Sequence, residues 1–244
     1  MRNSTIIMRR ELASYFATPL AYVFILIFLV LVNFFAFFFG ALYERGQADL
    51  QSFFTYHPWI YVFLISAVSM RLWAEERHSG SIELLMTQPV TLWEAVWGKF
   101  LAAWAFVAIS LVLTFPIWIT INYLGKPDNG VIVAAYIGSV MMAGGFLAIG
   151  SCMSALTRSQ VVAFIVTAVV SLVFVLLGML PSMVSNMPDW IQSAAGAIAS
   201  LSIYTHFTAI SKGVVDIRDV LYFAMLIGLF LLATSIALDV RKAE

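Results

Sequence analysis

The run over residues 19–42 carries no charged side chain. A helix that crosses the hydrocarbon core of a bilayer needs about 20 mostly apolar residues, because every backbone polar group must be satisfied within the segment. Five more stretches qualify, over 53–73, 100–123, 131–156, 161–180 and 220–238. The one over 53–73 is the weakest, with Pro58 near its start and Arg71 near its end. Pro116 is expected to kink the third span near its far end. Composition leaves little room for another class. Apolar residues make up 62% of the chain and charged ones 11%, with a mean hydropathy of +0.97. A soluble domain carries about 25% charged residues. The expectation is an all-α, polytopic membrane protein with six transmembrane helices, forming a single transmembrane domain over residues 1–244.

Six spans put both termini on one side. With that side taken as cytoplasmic, the inner segments hold Arg2, Arg9, Arg10, Arg71, Arg77, Lys99, Arg158, Arg241 and Lys242. The outer segments hold only Arg45, Lys126, Lys212 and Arg218. This excess of basic residues follows the positive-inside rule and predicts cytoplasmic termini. The run from Pro19 is too long for the apolar region of a signal peptide and is read as a retained span. Residues 4–18 place Met8, Leu12, Tyr15 and Phe16 on one helical face and Arg10, Glu11 and Ser14 largely opposite, although Ile6 and Ile7 depart from the pattern. Together with Arg9, this predicts an amphipathic helix lying in the membrane interface.

Several functions lose support. The chain has no G-x-x-x-x-G-K-[ST] run, so it does not cradle ATP by that route. His57, His78 and His206 lie in separate segments and offer no metal-ligand spacing. By the expected boundaries no acid or base lies deep in a span, which lowers the case for an ion-driven carrier. Asn33 reads as a helix–helix hydrogen bonder and Cys152 as a small core residue. No catalytic, cofactor or metal site is expected in this chain. The fourth span is rich in small residues, with Ser139-xxx-Ala143, Gly144-xxx-Ala148 and Gly150-xxx-Ser154 spacings that let a neighbouring helix approach closely.

The polar interruption AEERHSGSIELLMTQP separates the second and third spans. Ser79 and Gly80 can end one helix, and residues 81–86 are good helix formers with Glu83 placed early, where the helix dipole favours a negative charge. Pro89 ends that segment, since the residue before proline disfavours helix. Thr91 and Glu94 then have capping-box spacing. Ile82, Leu84, Leu85 and Met86 are too apolar to face water on all sides. A membrane surface, a docked partner protein and a passive position under the bundle all fit the residues alone.

The run Glu76-Arg77-His78-Ser79-Gly80-Ser81-Ile82-Glu83-Leu84-Leu85-Met86-Thr87-Gln88-Pro89-Val90 resembles the signature between the second and third spans of ABC-2 type transporter permeases. The start, Arg9-Arg10-Glu11-Leu12 through Tyr15-Phe16 to Val23, resembles the gliding-motility-type branch of that family. So does Leu201 to Phe207 with Lys212 to Asp219, except that Ile203 stands where proline is expected. The resemblance implies a half-transporter: two permease chains, each docked on a separate cytoplasmic ATPase that binds ATP and Mg. The short helix at Ser81 to Thr87 would be the coupling helix, with Glu76, Arg77, Gly80 and Pro89 framing it. The connection between spans five and six would form short extracytoplasmic helices, and an auxiliary subunit with a large extracytoplasmic domain is a further implied partner. The implied activity is export without catalysis in this chain. The alternative is a scaffold that passes ATP-driven force to an outer partner without moving a substrate. The substrate itself is not legible.

Overall fold

The protein is described from a computed structural model, over residues 2–42, 44–80 and 90–240. Among these residues all regular structure is helical. In chain order the elements are α1 (Arg2–Ala17), α2 (Pro19–Phe34, continued by a π-helical turn at Phe35–Phe39), α3 (Gln51–Thr55), α4 (His57–Ser69) and α5 (Arg71–Ser79). After the insert come α6 (Leu92–Val112), α7 (Phe115–Leu124), α8 (Asn129–Leu156), α9 (Gln160–Leu176, continued by a 3-10 turn at Leu177–Met179), α10 (Leu180–Met183), α11 (Asp189–Ala199), α12 (Ile203–Ser211) and α13 (Ile217–Val240).

Five helical runs among the described residues are long and apolar enough to cross a membrane: Pro19–Phe39, Leu92–Leu124, Asn129–Leu156, Gln160–Met183 and Ile217–Val240. The stretch expected as the second span is helical but broken into α3, α4 and α5, none of which is long enough alone. Pro58 in the first turn of α4 has no N–H to donate to the preceding turn. At Met70 the cause is a side chain from elsewhere. Ser154 Oγ accepts the N–H groups of Trp73 and Ala74 at 3.1 and 3.0 Å and donates to the Met70 carbonyl at 3.0 Å. A break in an apolar setting persists only where such partners satisfy the freed backbone. The run Leu92–Leu124 is interrupted at Leu113–Thr114, where Pro116 cannot donate back and Thr114 Oγ1 instead bonds the Leu111 carbonyl and Tyr136 Oη.

Helix α8 is the centre of the molecule. It packs against α4, α5, α6, α9, α12 and α13, and most of its length is buried. Its small residues are the reason. A Cβ at Gly144 would meet the Trp104 indole at 3.1 Å, and one at Gly150 would collide with Ser69. Among the described residues, helices of this chain pack against this surface. By contrast α2, α9 and α13 turn large apolar side chains outward, among them Leu26, Val161 and Leu229. Such a surface suits acyl chains, not water.

Helix α1 does more than lie beside the bundle. Its stripe packs onto α6, with Tyr15 stacked on Phe106 at 5.3 Å between ring centroids and Phe16 edge-on to the same ring at 5.7 Å. Ile7, which departs from the amphipathic pattern, is buried against Gly98.

Candidate functional site

The polar insert is flanked in sequence by α5 and α6, so those two helices decide what its ends are tied to. Helix α5 ends at Gly80, whose φ of +73° is a left-handed conformation that glycine adopts without a Cβ penalty. The positions expected for the short helix and its end, Ser81, Ile82, Glu83, Leu84, Leu85, Met86 and Pro89, lie outside the described residues. On the return side the expected capping box is formed. Thr91 Oγ1 accepts from the Glu94 N–H at 3.3 Å, and Glu94 Oε2 accepts from the Thr91 N–H at 3.1 Å. Asn3 Nδ2 also donates to Glu94 Oε2 at 3.3 Å, tying the start of α1 to the start of α6.

The two arms are joined by a buried cation. Lys99, one turn and more into α6, is 5% exposed at its side chain. Its Nζ lies 2.7 Å from Glu76 Oε1 on α5 and 3.5 Å from Glu11 Oε2 on α1, and 5.4 Å above the Trp73 ring. A lysine survives burial only when its charge is met this way. Glu11 is shared with Arg10 at 3.1 Å. Tyr15 lies beside this cluster, and burial followed by the Glu11 charge pushes its phenol well above the ordinary range, so it stays neutral. Arg77 Nη1 donates to the Ala155 carbonyl at 2.5 Å, and Trp73 Nε1 donates to Ser151 Oγ at 3.1 Å. Helix α5 is thus held on one side by the end of α8 and on the other by α1 and α6.

Of the residues singled out from sequence, the structure brings Glu11, Glu76, Arg10 and Tyr15 together and sets Leu12 and Phe16 against the core. Arg9 remains exposed outside this cluster. The residue that sequence reasoning passed over is Lys99, counted there only as an inner positive charge. Its signal was a lone lysine followed by an unbroken apolar helix.

A second polar cluster sits between α12 and α13. His206 Nδ1 lies 2.6 Å from Asp219 Oδ1, and Nε2 lies 2.9 Å from the Ser200 carbonyl. The ring stacks on Tyr222 at 3.9 Å, and Tyr222 Oη donates to the Leu201 carbonyl at 2.7 Å. Ser202 Oγ donates to the Phe174 carbonyl at 2.8 Å, fixing the same turn to α9. Among the described residues no group of three or more His, Cys, Asp or Glu side chains is arranged to hold a metal ion.

These features define a multi-pass membrane protein, helical throughout its described residues, in which the two helices flanking the polar insert share a buried ion pair. The sequence profile of the ABC-2 family transporter proteins matches residues 44–238, and the chain belongs to that family. It is also 29% identical over 153 residues to the probable multidrug ABC transporter permease YbhR of Escherichia coli K12, and equally to that of E. coli O157:H7. The match takes in 62% of this chain and 39% of those relatives, so the chain spans less than half of their length. The fold and the family together make it a multi-pass membrane protein of the ABC-2 transporter family.

Proposed function

We propose that this chain is an export permease, working as a pair of chains, each docked on a separate cytoplasmic ATPase that binds ATP and Mg. In this reading residues 81–87 form the coupling helix, and Gln51–Ser79 crosses the membrane in pieces as the second of six spans. Both termini face the cytoplasm of a bacterial inner membrane. The observation that carries the reading is the Lys99–Glu76 pair, which ties the two arms of the insert together. Force applied to the insert then moves α5 and α6 as one lever, with α1 following through Glu11. The flanking motifs around Tyr15 and His206 support the gliding-motility-type branch and, with it, an auxiliary subunit carrying a large outer domain. The E. coli relatives are named as probable multidrug permeases, and a bundle with apolar outward faces suits apolar cargo.

The test is reconstitution of the chain with its co-purifying ATPase. Glu83→Lys, or Leu84→Asp with Leu85→Asp, is expected to abolish the stimulation of ATP hydrolysis by the permease while the ATPase alone stays active. Stimulation that survives both substitutions would overturn the coupling assignment.

A further inference from the structure

A cavity of about 640 Å³ opens between α1, the first turn of α2 and α5, with Lys99 of α6 at its back. Its floor includes Leu20, in the first turn of the apolar α2, and the buried Leu72. Its walls and mouth carry Arg10, Glu11, Arg71 and Glu75. The cavity therefore runs from the level of charged side chains to the level where the acyl region begins, on the side of the membrane where α1 packs.

Most of its charges are spent. Lys99 is held by Glu11 and Glu76, and Arg10 by Glu11. Two are not. Arg71 Nε is buried with no hydrogen-bond partner. Glu75, exposed, lies four residues further along α5 on the same face, where an arginine and a glutamate ordinarily pair. No ion pair joins them among the described residues. A buried guanidinium donor left unmet is costly, and a phosphate is the acceptor whose geometry suits it. An unpaired carboxylate one turn away calls for a cation on the same molecule. The apolar floor at Leu20 and Leu72 calls for a hydrocarbon chain below both.

We propose that this cavity holds the headgroup of a zwitterionic aminophospholipid, its phosphate on Arg71 and its ammonium on Glu75. The lipid then fills the gap between α1 and α5 beside the Lys99 node. This holds whether or not the chain works as an exporter.

The experiment is native mass spectrometry of the delipidated full-length chain in detergent, with phosphatidylethanolamine, phosphatidylglycerol, phosphatidylcholine and soluble glycerophosphoethanolamine added separately. One phosphatidylethanolamine per chain is expected to be retained, about tenfold over phosphatidylglycerol, as the gain of one charge-assisted contact would give. Arg71→Met is expected to remove that retention. Glu75→Gln, at an exposed position that does not touch the Lys99 pairs, is expected to lower phosphatidylethanolamine to the phosphatidylglycerol level, which keeps the test decisive if Arg71→Met fails to fold. Equal retention of the two lipids, or no response to Glu75→Gln, would overturn the proposal. Retention of phosphatidylcholine at the phosphatidylethanolamine level would overturn the ammonium contact. Binding of the soluble headgroup as tightly as the lipid would overturn the lipid source. Uniformly weak retention of everything would mean that protein fills the cavity.

Discussion

Lys99 Nζ lies 2.7 Å from Glu76 Oε1, so the helix entering the polar insert and the helix leaving it share one buried ion pair. The pair closes a loop in space that is long in sequence. Lys99→Met removes the buried cation that Glu76 and Glu11 share. Removing one partner of a fully buried pair costs about 3–5 kcal/mol, and both glutamates here keep some solvent contact, so a loss of roughly 2–3 kcal/mol is expected. Thermal unfolding in detergent measures it. Adding Glu76→Gln to Lys99→Met should recover part of the loss, because it removes the carboxylate charge that Lys99 met. An additive double mutant would show that the pair is only apparent.

Helix α8 approaches α4 closely at Gly150. A Cβ on Gly150 would collide with Ser69, with Thr167 Cγ2 a further 3.1 Å neighbour, whereas a Cβ on Gly196 meets nothing within 4 Å. Gly150→Ala is expected to destabilise by about 1–3 kcal/mol, the usual range for overpacking. Gly196→Ala should be neutral or mildly stabilising, since alanine is the better helix former. Ser69→Gly in the Gly150→Ala background should restore much of the loss. Thermal melts of the three variants check the set.

The His206–Asp219 contact fastens the short helices before the last span to that span. Asp219→Ala removes an acceptor from a ring that has only acceptors around it. A cost of about 1–3 kcal/mol is expected, the range for stranding a polar group. Hydrogen exchange should rise over residues 200–211 while α8 stays protected. A rise spread evenly over the molecule would mean that the contact is not a local fastener.

What the sequence revealed follows the range of the interactions involved. The apolar runs of α2, α8, α9 and α13 are legible because a membrane span needs only local hydrophobicity. The Thr91–Glu94 capping box is legible because its members are three residues apart. The break at Met70 is not, because its cause is Ser154 on another helix. Ile7 spoils the pattern of α1 only until Gly98 is placed beside it. Lys99 needed three helices to converge before it became more than a basic residue near a helix start. The polar character of the insert was plain from residues 74–89, but what it is tied to was not.

Gly80 offers the sharpest test of how the insert is aimed. Its φ of +73° ends α5, and no described residue lies within 4 Å of a Cβ placed there, so a substitution meets backbone strain before any clash with the described residues. A non-glycine L-residue in the left-handed region costs roughly 1–2 kcal/mol, less for asparagine, whose short amide hydrogen-bonds locally. Gly80→Ala therefore tempts α5 to continue and re-aims residues 81–89, while Gly80→Asn keeps the turn. In the reconstituted complex, Gly80→Ala is expected to lower permease-stimulated ATP hydrolysis several-fold with little change in the melting temperature of the membrane part. Gly80→Asn should stay near wild type. If Gly80→Ala and Gly80→Asn behave alike, the left-handed turn does not direct the insert, and the lever built on Lys99 and Glu76 would have to act without it.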